Sequence, residues 1–386
     1  MYGRGLWQRR GRAEAGDGRA AALPLSVRSR RDQDASGDRG HADAPGAAVA
    51  RLQHAATILR AAVTSDLSRD FLDATSALRW VRGVRVWQDP RTREVLSASR
   101  AAKLAPQERA RLVSRVIDEL AYYEGRYGSA LLLVGLLDAV AGAGVLTLSG
   151  AHVVDIGYAS ILGPRLMASI GAHVEAVESD SYPHALYELE AGPVRVVKGV
   201  TATTGEGSLR LRLGRLGVDW SPDEGWANLI VARNVLKAGY VEQTGGTGVD
   251  LGMSAAEFVA TLRRSLATGG RVVMYNTFVR GDPSPGGDGR CPFAASVLEN
   301  AGFVVEALDR PDDEHAGNLH RAMLDASGVS VSSPPPGALV TVLRAREHGS
   351  ATGVAHAIAS QAESDGRAAG GNAGLDGVRR GAGGAR

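Results

Sequence analysis

Two neighbouring stretches decide the fold, HVVDIGYAS at residues 152–160 and GAHVEAVE at residues 171–178. They predict a buried strand, a tight turn at Gly157, a helix and a second strand that ends in a carboxylate. Glu178 lies 23 residues beyond Asp155, which itself comes two residues before Gly157. In doubly wound nucleotide-binding folds, an acidic residue in this place accepts hydrogen bonds from a ribose. The two stretches therefore predict such a site at the carboxyl ends of two parallel strands.

The composition is typical of a globular protein, with 44% hydrophobic and 22% charged residues in a chain of 386. A formal net charge of +2 gives no global field that would attract nucleic acid or an acidic membrane. The single cysteine, Cys291, excludes an internal disulfide framework and favours a reducing compartment. The N-terminus has no apolar signal region, so we expect a cytoplasmic protein. The apolar run from Ala130 to Leu148 is interrupted by Asp138 and predicts a buried helix, with no membrane partner.

The chain divides into four regions by pattern. Residues 1–48 and 347–386 lack periodicity and predict a disordered N-terminal extension and a disordered tail. Residues 49–128 predict a helical cap, in which Pro106 suits a helix start and Leu112 to Leu120 carry apolar residues at helical spacing. These helices could also form the contact surface of a homodimer. Residues 129–346 alternate strand and helix, which predicts an α/β domain with a mostly parallel sheet covered on both faces.

Within the α/β region we expect a Rossmann-like, doubly wound sheet of seven strands. The first five strands begin near Val153, Val174, Val194, Asn228 and Arg271, and the alternating residues Leu209 to Leu213 predict a hairpin or a small excursion beside the third. Phe303 to Leu308 and Leu339 to Arg344 predict a final pair of strands joined by a loop, which would add an antiparallel C-terminal strand.

Five motifs resemble those of class I S-adenosylmethionine-dependent methyltransferases, over roughly residues 110–346. Val153-Val-Asp-Ile-Gly157 resembles the first motif, and Glu178 stands at the acidic ribose-binding position. The other three are Ala227 to Leu236, Leu266 to Met274, and Ala301 to Val305 followed by Ala338 to Ala345. In the family the first motif usually carries three glycines, whereas Ala159 and Ile161 stand here at the second and third places. We expect alanine to be tolerated where φ stays negative, and a β-branched Ile161 to resist a left-handed turn.

The resemblance implies S-adenosylmethionine as cofactor and a set of residues that hold it. The implied cofactor-binding residues are Asp155, Gly157, Ala159, Glu178, Ser179 and Asn234. A nucleophile activator is harder to identify, and the candidates after the second and fourth strands are His184, Arg233, Asn234, Lys237 and Tyr240. From these we predict three catalytic residues, His184, Asn234 and Tyr240. His184 suits a general base because the pKa of histidine lies near neutrality.

We expect a small-molecule acceptor, methylated on oxygen or nitrogen, because no basic nucleic-acid-binding module is recognisable. No metal is expected, since His315 and His320 lie five residues apart and do not share a helix face, and residues 312–314 predict a solvated acidic turn. Three alternatives stay open: an NAD-type oxidoreductase, aminopropyl transfer, and a non-enzymatic scaffold with an altered cofactor site. The oxidoreductase is disfavoured because Gly157 to Leu162 does not supply G-x-G-x-x-G.

Overall fold

The computed structural model describes residues 45–124, 129–197, 206–241, 249–282, 284, 287–328 and 335–347. The chain divides into two units, Met1–Arg346 and Glu347–Arg386, and the helices and strands below belong to the first. The disorder predicted for residues 1–44 and 348–386 lies outside the described residues. The first helix begins at Ala47, just inside the predicted extension.

Residues 45–124 form five α-helices and a small three-stranded sheet. The helices are α1 (Ala47–Leu59), α2 (Asp66–Asp73), α3 (Ala98–Ala102), α4 (Pro106–Arg109) and α5 (Glu119–Glu124), and the strands are β1 (Val84–Gln88), β2 (Val95–Ser97) and β3 (Val113–Ile117). β1 lies in the middle and pairs antiparallel with both neighbours. The predicted helix start at Pro106 is confirmed. The helix predicted over residues 112–120 is wrong, because Val113–Ile117 is a strand.

The physical reason is visible in the side chains of β3. Val113, Val116 and Ile117 are β-branched, which lowers helix propensity and favours a strand. Val113 and Val116 are 50% and 58% exposed, so the apolar spacing does not mark a face that packs on a core. Pairing with β1 satisfies the backbone of β3 instead.

The remainder of the first unit contains the large sheet and the helices that cover it. Its strands are β4 (His152–Ile156), β5 (His173–Glu178), β6 (Gly192–Arg195), β7 (Glu206–Leu213), β8 (Ala227–Arg233), β9 (Leu266–Phe278), β10 (Phe303–Pro311) and β11 (Gly337–Ala345). Its helices are α6 (Val134–Gly142), α7 (Leu162–Ser169), α8 (Ser181–Tyr187), α9 (Ala255–Ser265), α10 (Ala295–Asn300) and α11 (Asp313–Ser327).

The strand order is β10-β11-β9-β8-β4-β5-β7-β6. The five central strands, β9 through β7 in this order, pair parallel, whereas β11, β10 and β6 pair antiparallel with their neighbours. This confirms the predicted Rossmann-like, mostly parallel sheet with an antiparallel C-terminal strand, β11. The sheet has eight strands where seven were predicted, because β6 and β7 form a hairpin and β7 occupies the place beside β5.

Alternating residues of the strands point to opposite faces of the sheet, and each face packs against a separate hydrophobic core. Val153 of β4 faces a core that also contains residues of α1, α2, α6, α7 and α11. The next residue, Val154, faces a second core that contains residues of α9 and α10. The predicted buried helix before β4 is α6, most of whose residues are buried. None of the helices in the described ranges has both the length and the apolar character needed to cross a bilayer.

The helix α11 was missed by the sequence analysis, which expected a loop between the last two strands. Its buried residues are Ala316, Gly317, Leu319 and His320. Two of these are small and one is polar, so the helix carries a weak hydrophobic pattern. Asp312 and Asp313, expected in a solvated turn, lie at the start of α11, and Asp313 Oδ1 accepts a hydrogen bond from the Ala338 N–H over 3.1 Å.

We predict that Gly207→Ala destabilises the fold while Gly142→Ala does not. A Cβ on Gly207 in β7 would overlap the carbonyl oxygen of Ala168 at the end of α7, which has little room to move. Overpacking of this kind costs about 1–3 kcal/mol. A Cβ on Gly142 meets nothing within 4 Å, and alanine in a helix gains up to about 1 kcal/mol over glycine. Urea unfolding of both variants measures the difference, and equal stabilities would contradict this close approach of α7 to β7.

Candidate functional site

The turn between β4 and α7 is the centre of the candidate site. Gly157 has a φ of 72°, and its N–H donates to the carbonyl oxygen of Val177 in β5 over 2.8 Å. Ala159 has a φ of 49°, so the negative φ that would make alanine easy to tolerate at this position is not present. A left-handed conformation is costly for a residue with a Cβ. Ile161 has a φ of −67° and is fully buried at the start of α7. The strained backbone of the turn is therefore at Ala159, whereas Ile161 packs in the hydrophobic core.

Glu178 faces this turn from the end of β5. Its Oε2 accepts a hydrogen bond from the Ala159 N–H over 3.3 Å, and its Oε1 accepts one from the Asp180 N–H over 3.0 Å. Burial raises the pKa of Glu178, although the backbone donors oppose this effect. Ser179, the next residue, is exposed. Because each carboxylate oxygen has two lone pairs, Glu178 can hold the turn and still accept from hydroxyl groups of a ligand.

Asp155 and Arg233 are oppositely charged neighbours beside Glu178. Asp155 pairs in register with Val231 of β8, and Arg233 lies two positions further on the same face. Burial raises the pKa of Asp155 to about 7; Arg233 opposes this rise and Glu178 adds to it. Burial lowers the pKa of Arg233, and Asp155 opposes that shift. Asp155 therefore titrates close to neutrality in the folded chain.

Three buried polar atoms near the carboxyl ends of the strands have no hydrogen-bond partner among the described residues. They are Tyr158 Oη, His184 Nδ1 and Asn276 Oδ1. Tyr158 follows β4 directly, His184 lies in the helix after β5, and Asn276 is close to the end of β9. Buried polar atoms are paired in the large majority of cases. Each of these atoms is therefore a candidate for a hydrogen bond to a polar ligand.

Asn234 lies at the end of β8, where it joins two strands. Its Oδ1 accepts hydrogen bonds from the N–H and the hydroxyl of Thr277, over 2.7 and 3.0 Å. Its φ of 60° turns the chain away from the sheet at this point. The structure thus assigns the side-chain oxygen of this predicted site residue to a contact between β8 and β9.

His184 and Tyr240, the other predicted catalytic residues, lie on different elements. His184 is in α8, where burial and then Arg100 of α3 lower its pKa, so the imidazole is neutral at pH 7. Tyr240 follows β8, and the ammonium group of Lys237 lies 4.9 Å from its ring centroid. Lys237 is 3% exposed, and burial lowers its pKa to about 8. This shift makes Lys237 the residue after β8 best able to exchange a proton near neutral pH.

Two further residues, Tyr158 and Val235, were not selected from the sequence. A Cβ on Gly157 would lie 2.8 Å from Val235 Cγ2. Val235 therefore occupies the space that the absence of a side chain leaves at Gly157. Val235 lies within the motif Ala227 to Leu236, but nothing in that motif marks it as a neighbour of Gly157, since an apolar residue after a buried strand is usual. Tyr158 could have been noticed only as a large residue directly after the motif glycine.

His315 and His320 serve the structure of α11. His315 Nε2 lies 2.8 Å from Asp138 Oδ2 of α6, and this contact raises the pKa of His315. Burial lowers the pKa of His320. Across the described parts of the chain, no group of three or more His, Cys, Asp or Glu side chains is placed to hold a metal ion.

A shallow groove lies at the opposite, amino-terminal edge of the parallel strands. The His152 ring stacks on Trp226 at 4.5 Å between centroids, and the His173 Nδ1 lies 3.0 Å from Ser208 Oγ. Glu175 below them is bound by Arg210 and Arg212. The polar groups here already have partners within the chain.

No protein-family model matches the chain, and no curated protein matches it. Among solved structures it is similar to a protein from Galdieria sulphuraria assigned as a sarcosine dimethylglycine methyltransferase, with 10% identity, a TM-score of 0.37, and 57% of this chain and 88% of that chain covered. The [4+2]-cyclase SpnF matches with 14% identity, a TM-score of 0.35, and 58% and 86% covered.

The Haemonchus contortus phosphoethanolamine N-methyltransferase 2, in complex with phosphomonomethylethanolamine and S-adenosylhomocysteine, matches with 10% identity and a TM-score of 0.35. The match covers 61% of this chain and 63% of that chain. All three TM-scores are below 0.5, and the fold is defined by the strand order of the large sheet.

We predict that Asp155→Asn flattens the dependence of stability on pH. The unfolded Asp155 titrates near pH 3.9, whereas the folded one titrates near pH 7. Between these values the folded state binds more protons than the unfolded state, so the parent loses stability as pH rises from about 4 to 7. Each unit of raised pKa corresponds to about 1.4 kcal/mol.

Asparagine does not ionise, so the stability of the variant relative to the parent should rise between about pH 4 and pH 7. Above pH 7 this difference in stability should stay constant. Urea unfolding at pH 4.5 and pH 8 measures both. Parallel pH profiles for parent and variant would show that Asp155 ionises freely in the folded chain.

Proposed function

We propose that this chain is an S-adenosylmethionine-dependent methyltransferase that transfers a methyl group in line to an oxygen or nitrogen of a small molecule. The observation that carries the proposal is the position of Glu178, whose carboxylate lies at the end of β5 and faces the Gly157–Ala159 turn. In a doubly wound sheet this is where a nucleotide ribose binds. The predicted acidic residue is therefore oriented toward the predicted turn.

The residues present fit this cofactor in three respects. Glu178 retains acceptor capacity for ribose hydroxyl groups, and Gly157 has no Cβ between the backbone and a ligand. The hydroxyl group of Tyr158, which directly follows Gly157, is buried without a hydrogen-bond partner among the described residues. When bound, the cofactor supplies an electrophilic methyl group on its sulfonium. The chain then needs to align the acceptor and exclude water, rather than to build an elaborate triad.

Activation of the acceptor requires a group that takes up a proton near neutral pH. His184 is neutral at pH 7 and its Nδ1 is unpartnered among the described residues. Lys237 also qualifies, because its pKa is lowered to about 8. Asn234 acts through Thr277 and positions the end of β8. We propose His184 and Lys237 as alternative bases, with Tyr240 beside Lys237 as a substrate-facing residue. A small acceptor is supported by the net charge of only +2.

The second candidate function is a binding or scaffold role without catalysis. The observation that favours it is the contact of Val235 with Gly157, since a ligand that passes over the glycine has to displace this side chain. Calorimetry with S-adenosylmethionine, S-adenosylhomocysteine and NAD separates the candidates. Heat with the first two supports the methyltransferase, heat with NAD alone supports an oxidoreductase, and no heat with any supports the scaffold.

We predict that Glu178→Gln weakens the binding of S-adenosylhomocysteine by about 1–2 kcal/mol, because hydrogen bonds to a charged acceptor are stronger than those to a neutral one. Glu175→Gln is the matched control, since Glu175 lies on the same strand and is bound by Arg210 and Arg212 at the other edge. The control should keep the parent affinity. Equal affinities of parent and Glu178→Gln, measured by calorimetry, would remove the ribose assignment.

We also predict that Val235→Ala binds S-adenosylhomocysteine more tightly than the parent. Two methyl groups that lie against Gly157 are then gone, so the ligand has less to displace. Titration calorimetry of the two proteins under one buffer gives the comparison. Weaker binding by the variant would mean that Val235 contacts the ligand, and an absence of binding by both proteins would favour the scaffold.

A further inference from the structure

Tyr158 carries a buried hydroxyl group that makes no hydrogen bond to the described residues of the chain. The residue is 7% exposed, and its Oη is buried without a hydrogen-bond partner among the described residues. Its ring packs 6.4 Å from the ring of Tyr187, at an angle of 54°. A phenylalanine would make the same packing contact without a buried, unpaired hydroxyl. A buried hydroxyl without a hydrogen bond lowers the stability of the folded chain. A ligand that bonds to this hydroxyl would remove that cost.

The neighbouring Tyr187 differs from Tyr158, because its hydroxyl makes a hydrogen bond within the chain. The Tyr187 hydroxyl is also buried, and it donates to the carbonyl oxygen of Tyr122 over 2.8 Å. The two tyrosines therefore share one environment of packed rings but differ in their hydroxyl groups. The Tyr187 hydroxyl bonds within the fold, whereas the Tyr158 hydroxyl has no hydrogen-bond partner in the part of the chain that the structure describes.

The surroundings of Tyr158 define what it can bond. Burial raises the pKa of its phenol, and the charge of Glu178 adds most to this among its neighbours, ahead of Asp155 and Asp180. The phenol therefore stays protonated and can donate a hydrogen bond at physiological pH. Glu178 beside it only accepts while ionised. A group that complements both must offer a hydrogen to Glu178 and an oxygen lone pair to Tyr158.

We propose that Tyr158 is a specificity-determining residue that donates a hydrogen bond to a ribose hydroxyl oxygen of the cofactor, while the ribose hydroxyls donate to Glu178. This inference rests on the proposed function and goes beyond it, because it assigns recognition of the vicinal diol to a donor and acceptor pair rather than to the carboxylate alone. A sugar hydroxyl satisfies both residues at once, since it donates through its hydrogen and accepts through its oxygen.

The test is Tyr158→Phe, with Tyr187→Phe as the matched control. Affinities are measured by calorimetry for S-adenosylhomocysteine and for its 2′-deoxy and 3′-deoxy analogues, and melting temperatures are measured without ligand. We expect Tyr158→Phe to melt at or above the parent temperature and to bind S-adenosylhomocysteine about tenfold more weakly, as for the loss of one hydrogen bond of about 1.4 kcal/mol. Tyr187→Phe should melt lower and keep its affinity.

The analogues identify the contact. For the analogue that lacks the hydroxyl contacted by Tyr158, parent and Tyr158→Phe should bind equally. A parent that binds S-adenosylhomocysteine while Tyr158→Phe binds it equally well overturns the inference and leaves the proposed function standing. An equal loss on all three ligands overturns the ribose assignment. A parent that binds none of them overturns the proposed function, and this inference with it.

Discussion

The structure depends on one constraint, the attachment of the β4–α7 turn to its neighbours. The Gly157 N–H bonds to Val177, the Ala159 N–H bonds to Glu178, and the Ser160 hydroxyl donates to the carbonyl oxygen of Tyr123 over 2.6 Å. These bonds attach the turn to two elements, β5 and α5, and hold a left-handed alanine that the chain would not adopt alone. The same bonds orient Glu178 toward the turn. The geometry of the candidate site is therefore a consequence of how the turn is held.

The face of the sheet beneath this turn carries more charge than a core usually tolerates. Asp155, Arg233 and Tyr275 lie on neighbouring strands, and the Tyr275 hydroxyl bonds to Asp312 over 3.2 Å. Burial opposes ionisation of both Asp155 and Arg233, and their attraction offsets part of that cost. Strained or costly arrangements of this kind concentrate at functional sites more often than in purely structural cores. The burial of these charges is thus a physical reason, beside the motif pattern, to place a site at this edge.

The strands β4, β5, β8 and β9 could be predicted because each carries a cluster of apolar residues. β6 and β7 could not be placed, since the alternating residues of β7 fit a hairpin and a small excursion equally. Other parts could not be predicted for identifiable reasons. β3 has apolar residues at helical spacing but exposes Val113 and Val116. Helix α11 buries Gly317 and His320, which carry no hydrophobic signal. In the site, Glu178 follows from its distance to Gly157 along the chain. Tyr158 and Val235 matter through contacts across the turn, and a single sequence does not encode such contacts as a spacing.

The replacement of two motif glycines by Ala159 and Ile161 does not by itself prevent a ligand from binding at the turn. Ile161 lies in right-handed backbone and packs in the core, so a glycine there would leave a cavity rather than open the turn. Ala159 adopts a positive φ despite its Cβ, because Glu178 accepts from its N–H. Neither substitution blocks the path over Gly157. What occupies that path is Val235, 78 residues further along the chain and outside the motif. A valine side chain on a loop after β8 can move where a backbone turn cannot, so this contact is a smaller obstacle to a ligand than an altered backbone would be.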